Sequence, residues 1–444
     1  MVTINKACIV VVIDGVADVP VSPYDSRTPL ELANKPNLDR IAREGLDGYI
    51  HCIGFWKVGG SDTSHFALLG YDTFGNYTGR GPIEVAGTGV DLQPGDVSIR
   101  CNYCTVDDDL GLIDRTAGYV RSSEGKVDAN AVNDLAMAVN DEVNLSDADV
   151  MFEFRNSMDY RCVVYFRGPG INANISDMDP SYNIIVDSDA TREEIKEHPR
   201  IVDCAPRDDT PGAKHMADLL TEWVHEVHGV LNYHPVNVAR REQGLPPANC
   251  IMPRGAGETP VYEPFFDKWG LKGACVAGTG LIKGIGKLTG MHVPNVPGAT
   301  GYIDSDLMAK GRAAIQCVEE GYEFVLVHIE GTDEVSHDKN VPEKVKMIEK
   351  ADEMVGYIID NIATIAENAI VVVLSDHTTS CAKGDHTADP SPIAIWMPTP
   401  AYIPDEVPSF SEREACKGTL KHIEGKDLLP LLISLLDKTR TEPA

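Results

Sequence analysis

Three apolar runs, widely separated in the chain, each end in acids or histidines: CIVVVID closes on Asp14, FVLVHIEGTD on Asp333, and AIVVVLSDH on Asp376 and His377. A β-branched run without polar alternation is the pattern of a strand buried on both faces, as in parallel sheets covered by helices. Between the last two runs, VPEKVKMIEKADEMVGYIIDNIA spaces Val345, Ile348, Met354, Val355, Ile358 and Ile359 by threes and fours, which predicts an amphipathic helix. Strand, helix, strand is the unit of a parallel sheet. Near the N-terminus, TPLELANKPNLDRIAREG reads as a short helical turn and then a helix begun at Pro36 and stopped at Gly45. Ligands of open parallel sheets bind beyond the carboxyl ends of the strands, so Asp14, Asp333 and Asp376 are expected on one edge.

At 444 residues the chain is longer than one core usually serves. From Asp91 to Ala248 the texture changes: acids cluster at Asp107 to Asp109, DYRCVVYFRG alternates, and Gly212 to Val227 reads as helix. This stretch is expected to be an α+β domain inserted into the first, with Leu245 to Glu258 as the return crossing. The expected fold class is α/β, with residues 1–90 and 249–444 forming the sheet-bearing core and 91–248 the insert.

A net charge of −29 would repel a phosphate backbone, which argues against nucleic-acid binding through the general surface. A small anionic substrate would need a local arginine and metal site. No run reaches the roughly 18 apolar residues of a membrane span, and the N-terminus lacks a signal-peptide pattern, so a soluble, cytoplasmic protein is expected. The eleven cysteines are scattered and read as reduced packing residues. Cys101 and Cys104 form a lone C-x-x-C without the second pair of a zinc site.

GTDEVSHDKN places Asp333 and His337 four apart, on one face if the segment is helical. SDHTTSCAKGDHTADP adds Asp376, His377, Asp385 and His386 within about a dozen residues, a density that packing does not explain. Carboxylate with imidazole suits Zn²⁺ or Mn²⁺ better than Ca²⁺, and together with Asp14 the set supplies about three protein ligands for each of two metals. In GGSDTSHFALLGYD, Ser61 stands just ahead of an expected helix, where a hydroxyl activated by a metal can be a nucleophile. Spacing alone leaves Thr63 and Ser64 as rivals for the capping and nucleophilic roles. GTGLIKGIGKLTG misses the phosphate-loop spacing, because Leu288 follows Gly286 and Lys287. His215, His225, His228 and His234 fall outside any ligand cluster.

The ordered set of Asp14, GSDTSH, TDEVSH, SDH and GDHT is similar to the alkaline phosphatase superfamily. Within it the chain closely resembles the archaeal-type, cofactor-independent (2,3-bisphosphoglycerate-independent) phosphoglycerate mutases. The phrases that carry this are TPLELANKPNLDRIAREG, GSDTSHFALLGYD, YTGRGPIEVAGTGVDLQPGD, RCNYCTVDDD, KVKMIEKAD and GDHTADPSPIAIW. They span most of the expected core and the start of the insert; from about Ser122 to Gly244 the match is looser.

The resemblance implies an alkaline-phosphatase-like core, with a mainly parallel sheet flanked by helices, and an inserted α+β substrate-binding cap that closes over the cleft. It implies Ser61, four before His65 in the family's S-x-x-x-H pattern, as the nucleophile and a metal contact. Asp14, Asp376 and His377 would hold the metal beside the serine, and Asp333, His337 and His386 the other. Arg100, Arg115, Arg155, Arg161 and Arg254 would grip phosphate and carboxylate. Lys283 resembles the lysine that approaches the phosphorylated serine, and Asp114 is the candidate acid/base group. Two divalent ions are implied, Mn²⁺ first with Mg²⁺, Co²⁺ or Zn²⁺ as alternatives, and no 2,3-bisphosphoglycerate. Two stretches depart from the family pattern: Val58-Gly59-Gly60 where Arg-Pro often precedes Gly-Ser-Asp, and Glu330-Gly331 where relatives often carry Lys-Ala. The expected reaction interconverts 3-phosphoglycerate and 2-phosphoglycerate through a phosphoserine, as in glycolysis and gluconeogenesis. The alternative is a metal-dependent phosphatase or phosphotransferase acting on another small phosphorylated or phosphonylated acid.

Overall fold

The computed structural model describes residues 4–73, 75, 77–122, 128–181, 199–400 and 402–438. They divide into two compact units, a core of Met1–Tyr77 with Tyr262–Ala444 and an insert of Thr78–Val261.

The core is built on a seven-stranded sheet, ordered Lys421–Glu424, Leu46–His51, Ser391–Trp396, Ala366–Leu374, Ile4–Ile13, Phe324–Ile329, Gly273–Val276. Only Ser391–Trp396 runs antiparallel to its neighbours. The three apolar runs are therefore adjacent strands with Ile4–Ile13 in the middle. Val12 pairs with Leu374 and Ile13 with Ile329, a register that brings Asp14 level with Asp376 on one side and beside Glu330 on the other. Ile9, Val11, Ile13, Val327, Val371 and Val373 are buried. Each such side chain contributes about 1.5–3 kcal/mol by leaving water.

Helix Val341–Ile365 covers this sheet, capped by Asn340, whose side chain accepts the Glu343 N–H. It buries Met347, Ile348, Met354, Val355, Ile358 and Ile359, while Val345 is only half-buried and the polar Lys344 and Asp352 point inward. Asp352 accepts the Leu38 N–H at 2.7 Å and Asn37 Nδ2 at 2.8 Å, which docks helix Pro36–Glu44. That helix ends at Gly45, a position that needs glycine: a Cβ there would lie 2.5 Å from the carbonyl oxygens of both Ile41 and Ile395.

The insert's sheet is antiparallel, with Val97–Val106 between Arg161–Arg167 and Cys250–Glu258, and with Met151–Met158 and Leu112–Asp114 outside. One face packs Tyr103, Phe154 and Phe166 against Trp223, Leu220 and Val227 of helix Pro211–Tyr233. The unit extends beyond the 91–248 read from sequence. Helix Arg80–Gly87 contributes Val85 to a cluster with Val163 and Tyr165 of this sheet. The expected return crossing is, in its second half, the strand Cys250–Glu258. Cys101 and Cys104 lie along the extended strand Val97–Val106, and every described cysteine is a free thiol, all buried except Cys416. Among the described residues no helix is long and apolar enough to cross a membrane.

Candidate active site

Ser61 is the first residue of helix Ser61–Leu68, with Gly60 as its cap. The three neighbouring hydroxyls now separate by environment. Thr63 Oγ1 accepts the Gly60 N–H at 3.1 Å and donates to Gly60 O at 3.0 Å, so it serves the turn. Ser64 is fully buried against Gly59, where a Cβ would lie 2.6 Å from Ser64 Oγ. Ser61 Oγ instead lies 3.3 Å from His377 Nε2. His65 donates from Nδ1 to the Ser61 carbonyl at 2.6 Å, bracing the turn rather than the hydroxyl. Burial pushes its pKa down to about 3, so this ring is neutral.

Asp14, Asp376 and His377 form one group of clustered ligand atoms, and Asp333, His337 and His386 another, each set lying within 4.8 Å of one another. His377 Nε2 is 3.2 Å from Asp14 Oδ1 and 3.4 Å from Asp376 Oδ2. His337 Nε2 is 3.2 Å from Asp333 Oδ2, and His386 Nε2 is 3.5 Å from Asp333 Oδ1. The His377 and His386 rings stack with centroids 3.8 Å apart, so the two groups adjoin. Helix Gly331–His337 presents Asp333 and His337 on one face, and the strand pair Thr378–Ser380 with Asp385–Thr387 folds His386 back opposite Thr379.

Each of these imidazoles has its Nδ1 engaged elsewhere. His337 donates to Gly384 O at 2.9 Å and His386 to Gly59 O at 2.8 Å, while His377 Nδ1 meets Thr379 Oγ1 at 3.0 Å. With Nδ1 engaged in this way, Nε2 is the nitrogen on the carboxylate side and the one that would give up its proton to a bound cation, as a metal ligand requires.

Several residues close to these groups had escaped the sequence reading. His328, inside the apolar run, places Nε2 2.9 Å from Asp14 Oδ2 and 3.6 Å from Glu330 Oε2. Thr332 Oγ1 donates to the Asp14 carbonyl. Lys310 is buried and donates to His328 O at 2.9 Å. The available signal was a polar residue interrupting an otherwise apolar pattern, as His328 does in FVLVHI.

In the insert, Arg155 pairs opposite Val163, Val163 opposite Arg100, and Arg100 opposite Arg254. Directly opposed residues share a sheet face. Asn102 and Arg161, opposite each other and two residues further along Val97–Val106, extend the same face. Buried Asp179 gathers two arginines, Arg115 at 2.6 Å and Arg254 at 3.2 Å, and Arg254 also donates to Asn102 Oδ1 at 2.9 Å. Arg100 lies 3.6 Å from Glu84, Arg155 lies 2.6 Å from Glu153, and Arg161 sits over the Tyr160 ring. Asp114 accepts from Thr116 N and Oγ1 and from Gly118 N at 2.8–2.9 Å, so both of its oxygens hold its own turn. Lys283 lies on helix Gly280–Leu288, its pKa lowered by burial.

The Metalloenzyme superfamily matches this chain over residues 6–435. The 2,3-bisphosphoglycerate-independent phosphoglycerate mutase 1 of Methanothermobacter thermautotrophicus is 40% identical over 430 residues, covering 97% of this chain and 98% of its own. The chain belongs to the cofactor-independent phosphoglycerate mutases. The solved cofactor-independent phosphoglycerate mutase of Thermoplasma acidophilum superposes with a TM-score of 0.66 at 29% identity, covering 97% of this chain and all 100% of that one. A solved Pyrococcus horikoshii protein reaches a TM-score of 0.78 at 28% identity, covering 99% of this chain and 100% of its own. The fold is thus that of these mutases, an α/β core with a mainly parallel sheet.

Membership of this mutase family brings dependence on divalent metal, and the donor sets fit it. Asp14 Oδ1 and Asp376 Oδ2 are buried without a hydrogen-bond partner among the described residues. Burial and the nearby charges of Asp14 and Asp333 push the Asp376 carboxyl well up, because three carboxylates so close cannot all ionise without added positive charge. Against the cost of burial, Asp376 and Asp14 raise the His377 pKa to about 10, and the bond to Asp333 raises that of His337 to about 9. Both shifts report a strongly negative site that a divalent cation would neutralise.

Proposed function

We infer that this enzyme interconverts 3-phosphoglycerate and 2-phosphoglycerate, with Ser61 as the transient phosphoryl acceptor. Two divalent ions would be held by Asp14, Asp376 and His377 beside the serine, and by Asp333, His337 and His386. The observation that carries this reading is Ser61 Oγ at 3.3 Å from His377 Nε2, at the edge of the first ligand group and with the second adjoining.

In the reaction Ser61 Oγ loses its proton and bonds to phosphorus, the P–O3 bond breaks, and glycerate O3 takes up a proton to become a hydroxyl. The freed glycerate then turns its O2 hydroxyl to the phosphoserine: O2 loses its proton and bonds to phosphorus, the P–Oγ bond breaks, and Ser61 Oγ is reprotonated. The ions, when bound, supply the positive charge that favours the serine alkoxide and offsets the phosphoryl oxygens. The N-terminus of helix Ser61–Leu68 adds a favourable dipole for the anion. By the family resemblance Arg100, Arg115, Arg155, Arg161 and Arg254 are the guanidinium groups for the carboxylate and phosphate, and all of them but Arg115 share one face of the insert's sheet. Asp114 is the acid/base candidate that the family resemblance offers; the three hydrogen bonds it accepts from Thr116 and Gly118 do not use all of a carboxylate's about four acceptor sites.

The mixed imidazole and carboxylate donors suit Mn²⁺ or Zn²⁺, and the family resemblance puts Mn²⁺ first, with Mg²⁺, Co²⁺ and Zn²⁺ as alternatives. Ser61 itself carries the phosphoryl group, so no 2,3-bisphosphoglycerate is needed. A cytoplasmic location is part of this reading, supported by a step between glycolytic intermediates and by buried free thiols. An enolase-coupled assay of purified protein with Mn²⁺ tests the reading. Formation of 2-phosphoglycerate faster than free phosphate is expected; phosphate released first, or no turnover with any of the four metals, would overturn it.

A further inference from the structure

Thr379 is fully buried, and each of its polar atoms is engaged. Its N–H donates to Ala17 O at 3.1 Å, and its carbonyl accepts from Lys344 Nζ at 2.9 Å. Its Oγ1 lies 2.6 Å from Asp333 Oδ1 and 3.0 Å from His377 Nδ1. A hydroxyl has one hydrogen to give, and an ionised carboxylate can only accept. The hydrogen therefore goes to Asp333, and the oxygen lone pair receives the His377 Nδ1–H. This order, from His377 through Thr379 to Asp333, keeps a proton on Nδ1, so that a cation bound beside Asp14, Asp376 and Ser61 Oγ would meet Nε2.

The surroundings are shaped around that contact. At Gly15 a Cβ would lie 2.5 Å from Thr379 Oγ1 and 2.6 Å from Asp333 Oδ1, so the residue after Asp14 leaves the hydroxyl its space. From behind, Lys344 is completely buried and donates to Thr379 O, to Ala17 O at 3.2 Å and to Asp18 Oδ2 at 3.0 Å. It thereby ties helix Val341–Ile365 to both ligand-bearing loops. This gives the KVKMIEKAD phrase a role that the reaction chemistry had not used.

We propose that Thr379 is a positioning residue that couples the two metal groups, one hydroxyl orienting His377 of the first and Asp333 of the second. Loss of that hydroxyl then weakens metal binding at both groups, whereas loss of a single ligand strikes first at its own. The inference rests on the two-ion reading, and the test separates the two claims.

Metal-free wild type, Thr379→Val and Thr379→Ser are titrated with Mn²⁺ by calorimetry, and the loaded proteins are compared by electron paramagnetic resonance. Wild type is expected to bind two spin-coupled ions. The valine variant, nearly isosteric but without the hydroxyl, is expected to lose about 10- to 100-fold in affinity at both sites. Serine, which keeps the hydroxyl, is expected to restore most of that loss and the coupled signal. At saturating Mn²⁺ the valine variant should show a lower kcat with little change in KM for 3-phosphoglycerate. If the valine variant does not fold, Thr379→Ala against Thr379→Ser must show the same difference. Valine or alanine binding two ions as tightly as serine overturns the proposal, as does a loss confined to one site. Fewer than two ions in the wild type overturns the two-ion reading instead.

Discussion

Replacing Gly15 with alanine adds one methyl group at a crowded place beside the ligands. Gly15 has φ +58°, and the new Cβ would lie 2.5 Å from Thr379 Oγ1, 2.6 Å from Asp333 Oδ1 and 3.0 Å from Asp333 Cβ. The left-handed backbone costs an L-residue about 1–2 kcal/mol, and inserting a methyl into a packed site costs about 1–3 kcal/mol. Much of the second cost is escaped only by moving the Thr379 hydroxyl or the Asp333 carboxylate, which degrades metal binding. The expected result is a metal-free melting point lower by several degrees and Mn²⁺ affinity at the Asp333 group reduced at least about 10-fold. Gly270→Ala is the control: its φ is similar at +67°, but no atom lies within 4 Å of the built Cβ. That variant should carry the backbone cost alone and bind Mn²⁺ like wild type. If Gly15→Ala behaves like its control in both melting and titration, the packed arrangement of Gly15, Thr379 and Asp333 is refuted.

Arg254→Ala should lower kcat/KM for 3-phosphoglycerate by about 10- to 100-fold, the value of a charged hydrogen bond, whereas Arg161→Ala, over the Tyr160 ring, should cost less; equal losses in steady-state kinetics would contradict the assignment. Burial and Asp405 raise the Asp47 carboxyl from 3.8 to about 8, so between those values the folded protein holds a proton that the unfolded chain releases, and stability falls as pH rises. Asp47→Asn removes that loss and should gain on wild type by up to about 1.4 kcal/mol for each pH unit in this window. Melting curves near both ends of the window check this, and parallel curves for the two proteins would contradict it.

Much of the site was legible because strand-end acids and Asp-His pairs are rare in packing patterns and the sheet dictates where they meet. Asp14, Asp333 and Asp376 follow three apolar runs expected to end on one sheet edge, and the structure supplies their register. Spacing could not choose among Ser61, Thr63 and Ser64, which differ only in what surrounds each hydroxyl; the 3.3 Å approach of Ser61 to His377 separates them. Supporting residues were harder still. Lys344 lies on the inward face of an amphipathic helix, where a lysine is unexpected unless backbone carbonyls from distant loops converge on it, and they do. Asp114 is an acid/base candidate beside Arg115, and the structure adds what sequence could not report, that its carboxylate also braces the turn through Thr116 and Gly118. The extent of the insert was missed because helix Arg80–Gly87 belongs to it by packing, which sequence texture does not report.

The central claim is that Ser61 carries the phosphoryl group between the two hydroxyls of glycerate. It is tested most directly by mixing enzyme, Mn²⁺ and 3-phosphoglycerate, quenching in acid within the first turnovers, and mapping the peptides by mass spectrometry. The account predicts one added phosphoryl group on the peptide containing Ser61, absent in Ser61→Ala together with mutase activity. Turnover of 3-phosphoglycerate to 2-phosphoglycerate by Ser61→Ala, or a phosphoryl group found on another residue, would contradict it.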